Sequence, residues 1–469
     1  MTTRLHFLGA NRQVTGSKYC LETERAKVLI DCGMFQEREF QDRNWEPLAI
    51  RPAELDAVVV THAHIDHIGL LPRLVRDGFR GPIYATRATV DLAEIMLQDA
   101  ARIQVEDAEY KRRRHRREGR EGPRPVVPLY TEEDADEVLP LLRPVHYHTD
   151  AELPGDIVVQ FHDAGHILGS AMLSFTYLCD GHKRKIVFSG DIGQHGKPLI
   201  RDPEMLDHAD FVVMESTYGN RLHEDRGDIQ SQLGEVIKRT VSRGGNVLIP
   251  TFAVERAQEL TYFIGCLVRD GTIPEVPVFL DSPMAVDVTE TFRQHRDSYD
   301  DESWALIEAG QPPLTFPGLT LSRTVQQSKA IVHIDQPAVI MATSGMCTAG
   351  RIKHHLRRDI GNPENTIVFV GYQGRGTLGR RILDSEPTVR IHGAQYHVRA
   401  EVAQIHGFSG HADRGGLIRW IDNFETPPRE IFLTHGEEDV ALEFADLLRQ
   451  RSGHEVTVPA YQQVVRLDV

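Results

Sequence analysis

Between residues 57 and 61 the chain reads AVVVT, a short β-branched apolar run suited to a strand buried on both faces. Further β-like segments lie at 5–8, 19–23 and 27–30, the last two separated by a few polar residues as in a hairpin. The period then changes: Val90, Leu92, Ile95, Met96, Ala100 and Ile103 recur at helical spacing, which predicts an amphipathic helix over 88–104. It runs into KRRRHRREGREGPRP at 111–125, a charge run whose plain interpretation is a solvated, mobile insertion.

From about residue 210 strand and helix alternate. The run 246–250 precedes a helical pattern at 253–268, 276–280 precedes 285–292, 338–342 precedes 351–358, and 366–370 precedes 377–383. Alternation of this kind implies βα units, a parallel sheet and ligand sites at the carboxyl ends of its strands. A strand at 429–434 and a helix at 437–450 follow, and neither an internal repeat nor a low-complexity tract is present.

A length of 469 residues predicts two or three hydrophobic cores. With 26% charged and 41% apolar residues, disorder and fibrous repeats are excluded. No stretch approaches the roughly 18 apolar residues of a membrane span, and the N-terminus lacks the apolar block of a secretory signal, so a cytoplasmic enzyme without membrane contact is expected. The 5 cysteines are scattered and form no C-x-x-C, which argues against a disulfide framework and a cysteine-based zinc site. Any metal must therefore use histidine and carboxylate. A net charge of −15 disfavours indiscriminate nucleic-acid binding but permits a locally positive cleft.

The sharpest chemistry follows the 57–61 strand: His62, His64, Asp66 and His67 in the pattern H-x-H-x-D-H. Imidazole nitrogen and carboxylate oxygen suit Zn²⁺, but six residues cannot enclose an ion, so distant ligands are required. Asp163-Ala164-Gly165-His166 after a strand at 157–161 and Ser189-Gly190-Asp191 after one at 186–188 offer them. Taken singly, His166 or Asp191 reads as a structural residue; beside the first motif both read as ligands.

On these motifs the chain resembles the metallo-β-lactamase superfamily, and specifically its β-CASP nuclease branch. That branch includes the endonuclease subunit of the cleavage and polyadenylation machinery, its bacterial and archaeal homologues, and RNase J. Residues 29–33 (LIDCG) look like the family's first motif, 62–67 the second, His166 the third and Asp191 the fourth. Glu215 in ESTYG, His411 in FSGHAD and His435 in THGE are similar to the further motifs of the branch.

The resemblance implies an αββα sandwich built from 1–208 and 396–469, with an α/β β-CASP cap inserted at 209–395. It implies two Zn²⁺ ions, one on His62, His64 and His166, the other on Asp66, His67 and His435, with Asp191 bridging and the pair activating a hydroxide. Asp31 would orient ligand rings through their other nitrogen, or be a buried, satisfied carboxylate. Asp66, Glu215 and His411 would be catalytic, the last two as a proton-donating pair.

Ser344 and Gly345, Arg351, and Ser409 and Gly410 are candidates for RNA phosphate contacts, with ordinary helix capping as the alternative for the serines. Arg256, Lys353, the arginines of 371–380 and the 111–125 run are further candidates, each read first as surface charge. The glycine-rich stretch 371–380 lacks G-x-x-x-x-G-K-[ST], so no nucleotide triphosphate is expected. The implied activity is a zinc-dependent ribonuclease cutting single-stranded RNA to 5′-phosphate and 3′-hydroxyl ends. The cap would exclude duplexes, and a homodimer is possible from the same resemblance. Alternatives are a DNA nuclease or other metallo-hydrolase on this fold, or a non-catalytic RNA-binding subunit of a processing complex.

Overall fold

The structure, a computed structural model, describes residues 3–119, 126–223 and 229–467. Contacts divide the chain into two compact units: Met1–His195, Asp202–Leu222 and His411–Val469 form the first, and Gly196–Arg201 and His223–Gly410 the second.

The first unit is a sandwich of two seven-stranded sheets. One runs, edge to edge, Val464–Arg466, Arg4–Gly9, Lys18–Glu22, Lys27–Ile30, Ala57–Val59, Ile83–Thr86 and Leu142–Val145. The other runs Val456–Thr457, Glu430–Thr434, Phe211–Glu215, His182–Phe188, Ala171–Cys179, Ile157–Asp163 and Ala151–Leu153. Side chains of period two decide which face each residue serves. Phe211 and Val213 point into the core between the sheets with Phe7, Val59 and Phe161, whereas Val212 and Met214 pack outward with Trp420 and Phe444. Trp420 and Phe444 belong to the helices Arg414–Ile421 and Glu438–Ser452, which cover that outer face. On the other sheet the helix Arg87–Glu118 packs along Ile83–Thr86 and Leu142–Val145. The layers are therefore helix, sheet, sheet, helix.

That 32-residue helix corrects the expectation of a helix ending near 104 and a mobile insertion from 111. Lys and Arg are good helix formers, so loss of the apolar stripe ends burial without ending the helix. Arg113 pairs with Glu109 and Arg114 with Glu118 one turn apart, and Gly119 stops the helix in the left-handed conformation at φ +61°. Residues 120–125 of the basic run lie outside the described residues.

The second unit holds a six-stranded parallel sheet in the order Leu319–Leu321, Val278–Leu280, Val339–Ala342, Val247–Pro250, Thr366–Phe369, Glu401–Gln404. Helices Arg256–Arg269, Pro283–Gln294, Ile352–Asp359 and Leu378–Leu383 follow four of the strands, as the alternation predicts.

Candidate metal centre

The strand Ala57–Val59 carries the chain to Thr61 and into a four-residue helix, Ile65–Ile68, which brings Asp66 and His67 back under His62 and His64. The neighbouring segment fixes this turn: Cys32 N–H donates to His67 O at 2.7 Å and Ser17 N–H to Asp66 O at 2.8 Å. Gly33 sits so close that a Cβ there would fall 1.6 Å from Asp66 O, so no other residue fits. Asp31, at φ +56°, aims its carboxylate into the same turn, accepting from Thr61 N–H and Thr61 Oγ1, both at 2.8 Å. It also pairs with His67 Nδ1 at 2.7 Å, which leaves His67 Nε2 facing Asp191 Oδ1 at 3.3 Å.

Seven of the expected ligands converge. His62 Nε2 and His166 Nε2 each lie 3.5 Å from Asp191 Oδ2, and His64 Nδ1 lies 3.1 and 3.2 Å from those two nitrogens. On the other side His435 Nε2 lies 3.4 Å from Asp66 Oδ2 and 3.5 Å from Asp191 Oδ1. The ligand atoms of His62, His64, His166 and Asp191 fall within 4.8 Å of one another, as do those of Asp66, His67 and His435. Asp191 thus turns one oxygen to each group. Sheet register explains how His435 arrives: Glu215 pairs with Thr434, so the next residue emerges at the same strand ends.

The donor set fits a cation. Asp191 Oδ1 and His435 Nε2 are buried without a hydrogen-bond partner, although both face the other ligand atoms. Burial holds His64 at about 4 despite Asp66, and burial with the charge of His67 holds His62 well below the ordinary imidazole value; both rings are neutral, as ligation requires. Burial would also lower His67, but Asp191 and Asp31 raise it well above its usual range. Burial opposes ionisation of Asp191 too, yet the surrounding histidines hold it well below the carboxylate range. Buried carboxylates in this number call for positive charge between them.

Beside this cluster Glu215 accepts from Ile192 N–H through Oε1 at 2.5 Å and pairs through Oε2 with His411 Nδ1 at 3.0 Å. His411 Nδ1 is also 3.9 Å from Asp191 Oδ2. Burial lowers the His411 pKa, but Glu215 and Asp191 outweigh it and raise it to about 9, so the ring is cationic at neutral pH. Two positioning residues escaped the sequence reading. Thr61 Oγ1 sits 3.1 Å from both His62 Nδ1 and His67 Nδ1, and Thr217 Oγ1 sits 3.0 Å from His435 Nδ1. Their only sequence signal is adjacency: Thr61 precedes the histidine motif and Thr217 follows Glu215 by two residues.

Ser344, Gly345, Arg351, Ser409 and Gly410 belong to the second unit. Ser344 Oγ accepts from the N–H groups of Thr348 and Ala349 at 3.1 and 3.2 Å, a turn-closing role. Gly345 backs onto the Phe252 ring. Arg351 donates to Asp281 Oδ1 at 2.8 Å, Ser322 O at 3.0 Å and Arg323 O at 2.8 Å, so its guanidinium braces the loops after two neighbouring strands.

Sheets, layers and a histidine–aspartate centre at strand ends define the class: the chain belongs to the metallo-β-lactamase superfamily, whose profile matches residues 14–168. Within it the chain falls in the β-CASP branch, since the Beta-Casp domain matches 257–382 and the Zn-dependent metallo-hydrolase RNA specificity domain matches 395–459. Ribonuclease TTHA0252 of Thermus thermophilus is 40% identical over 97% of this chain and 98% of its own length. Transcription termination factor FttA of Methanosarcina mazei is 32% identical over 99% of this chain and 71% of its own. Among solved structures, a protein of unknown function from Enterococcus faecalis V583 superposes with a TM-score of 0.57 over 100% of both chains at 13% identity, a likeness of fold alone.

Proposed function

We propose that this chain is a metal-dependent ribonuclease that hydrolyses phosphodiester bonds of single-stranded RNA with two zinc ions. The observation that carries the metal chemistry is the division of the Asp191 carboxylate between two ligand groups, with the Glu215–His411 pair alongside. The RNA substrate is supported by the RNA specificity domain and by the ribonuclease of Thermus thermophilus.

In this reading His62, His64, His166 and Asp191 hold one ion, and Asp66, His67, His435 and Asp191 the other. When bound, the ions lower the pKa of a water and offset the negative charge that develops on phosphate. The protein's own groups do the rest. Asp31 and Thr61 orient the imidazoles, and Asp66 joins ligation to water positioning. Glu215 holds Nδ1–H of His411, so the cationic ring delivers a proton from Nε2 to the departing O3′ as its bond to phosphorus breaks. Water oxygen stays on phosphorus, leaving a 5′-phosphate and a 3′-hydroxyl.

The same reading takes 1–208 and 396–469 as the hydrolytic domain and 209–395 as the inserted domain. In this reading phosphate contacts come from the Ser344–Gly345 turn and Arg351 within the inserted domain, and from Ser409 and Gly410 beyond it. It includes a cytoplasmic location, assembly as a homodimer and no need of a nucleotide triphosphate. Among the described residues no helix is long and apolar enough to cross a membrane.

The test is a 5′-labelled and a 3′-labelled single-stranded RNA beside DNA of the same sequence, with zinc and with chelator. Zinc-dependent cleavage of RNA with DNA left intact is the expected result. Equal turnover of DNA would assign the chain to the DNA nucleases of this fold, and loss of neither strand would make it a binding subunit.

A further inference from the structure

Outside the hydrolytic centre a second set of ligand-type side chains meets in the first unit. His148, His162 and Glu204 each bring one ligand atom to within 4.8 Å of the others. They come from three separate pieces of chain. His162 lies in the strand Ile157–Asp163 and is buried; its Nε2 is 2.9 Å from Ser174 Oγ on the adjacent strand, and its Nδ1 faces Glu204 Oε2 at 3.6 Å. Glu204 is fixed by its backbone, whose N–H donates to Asp163 O at 2.9 Å and whose carbonyl accepts from Trp420 Nε1 at 3.2 Å. Its Oε1 accepts from Asp163 N–H at 2.9 Å and lies 3.2 Å from His148 Nε2. His148 sits in the turn before the strand Ala151–Leu153 at φ +59°, pinned by its N–H donating to Phe161 O at 2.9 Å.

We propose that His148, His162 and Glu204 form a second metal site, distinct from the hydrolytic centre, that takes one divalent ion of the zinc class. Two imidazole nitrogens and one carboxylate oxygen are a three-ligand zinc set that leaves a fourth position for water. The side chain of His148 is 59% exposed, so that position reaches solvent. The spacing agrees. Charge-assisted N–H···O bonds run about 2.7–2.9 Å, whereas ligands about 2.0–2.1 Å from zinc stand roughly 3.3–3.4 Å apart along a tetrahedral edge. The two imidazoles approach different oxygens of the Glu204 carboxylate, His148 Nε2 at 3.2 Å from Oε1 and His162 Nδ1 at 3.6 Å from Oε2, so both stand near that edge length from a carboxylate one ion could share. Outer bonds from His162 Nε2–H to Ser174 Oγ and from Asp163 N–H to Glu204 hold two of the ligands in direction, as ligating groups generally require.

Such an ion would clasp the end of the strand Ile157–Asp163 to the segment around Glu204. Asp163 in turn accepts Gly165 N–H at 2.9 Å through Oδ1, so the clasp braces the loop that delivers His166 to the hydrolytic centre.

The test is metal stoichiometry of the full chain, stripped, titrated with Zn²⁺ or Co²⁺ alone, and counted by mass spectrometry after desalting. Wild type should bind one equivalent more than His148→Asn or Glu204→Gln, and the Co²⁺ form should lose one set of visible bands in those variants. Asn tolerates the positive φ, so the His148 variant keeps its turn. An Asp191→Ala chain, damaged at the hydrolytic centre, should still carry the equivalent that His148→Asn removes. Identical metal content and Co²⁺ spectra in wild type and His148→Asn would overturn the proposal, as would an extra equivalent that vanishes only with Asp191→Ala.

Discussion

At the residue scale Asp191 is a shared carboxylate: buried at the strand ends, it faces ligand groups that arrive from different strands. Its replacement by Ala should lower the zinc of the hydrolytic centre below two equivalents, counted by elemental analysis in a His148→Asn background; retention of both would contradict the bridging role. His411 stands differently, since its hydrogen bond runs to Glu215 and its distance to Asp191 is 3.9 Å. His411→Ala should keep its metal and lose roughly 10² to 10⁴ in cleavage rate, the range of a general acid. Loss of metal instead would move His411 into the ligand set. The ligand histidines stood out in the sequence because several occupy one short motif. Thr61 and Thr217 did not, because a threonine that orients an imidazole carries the same local pattern as one that caps a turn.

Among elements, the loops after parallel strands carry the polar architecture, and the second unit shows how they are braced. Asp281, fully buried after the strand Val278–Leu280, receives Arg351, pairs with His355 at 2.7 Å and accepts from Ser328 at 2.6 Å. Burial opposes its ionisation, but His355 and the serine bonds prevail and hold its pKa at about 2. Asp281→Ala leaves Arg351 unpaired and should cost about 3–5 kcal/mol in denaturant unfolding of this unit. The pH sign follows from a folded pKa below the unfolded one. The contribution is complete above the unfolded carboxylate value near 3.8 and drains away as pH falls toward 2. A melting curve of wild type against Asp281→Ala across that window should therefore converge at the acid end. The helix Arg87–Glu118 shows the converse limit of sequence periodicity. Apolar spacing reports which face is buried, so it fell silent where the helix left the core, while propensity and side-chain pairs carried the helix on to Gly119.

For the molecule as a whole, metal binding should couple to folding, because Asp31, Asp66 and Asp191 are gathered around the histidines at the strand ends of the first unit. Chelation should lower the thermal midpoint and zinc should restore it; at a ligand excess of a thousandfold over Kd, binding contributes about 4 kcal/mol. An unchanged midpoint in calorimetry would mean that protons on His67 and His435 balance the carboxylates unaided. By itself the sequence determined the class of chemistry and the alternating architecture of the second half, because a compact ligand motif and hydrophobic period are local properties of the chain. Only the tertiary structure decided which scattered residues share the centre. His166, Asp191 and His435 meet His62 because strands 100 or more residues apart pair and pack. It also decided that His148, His162 and Glu204 meet at all, since their convergence depends on sheet register and turn geometry, which leave no periodic trace along the chain.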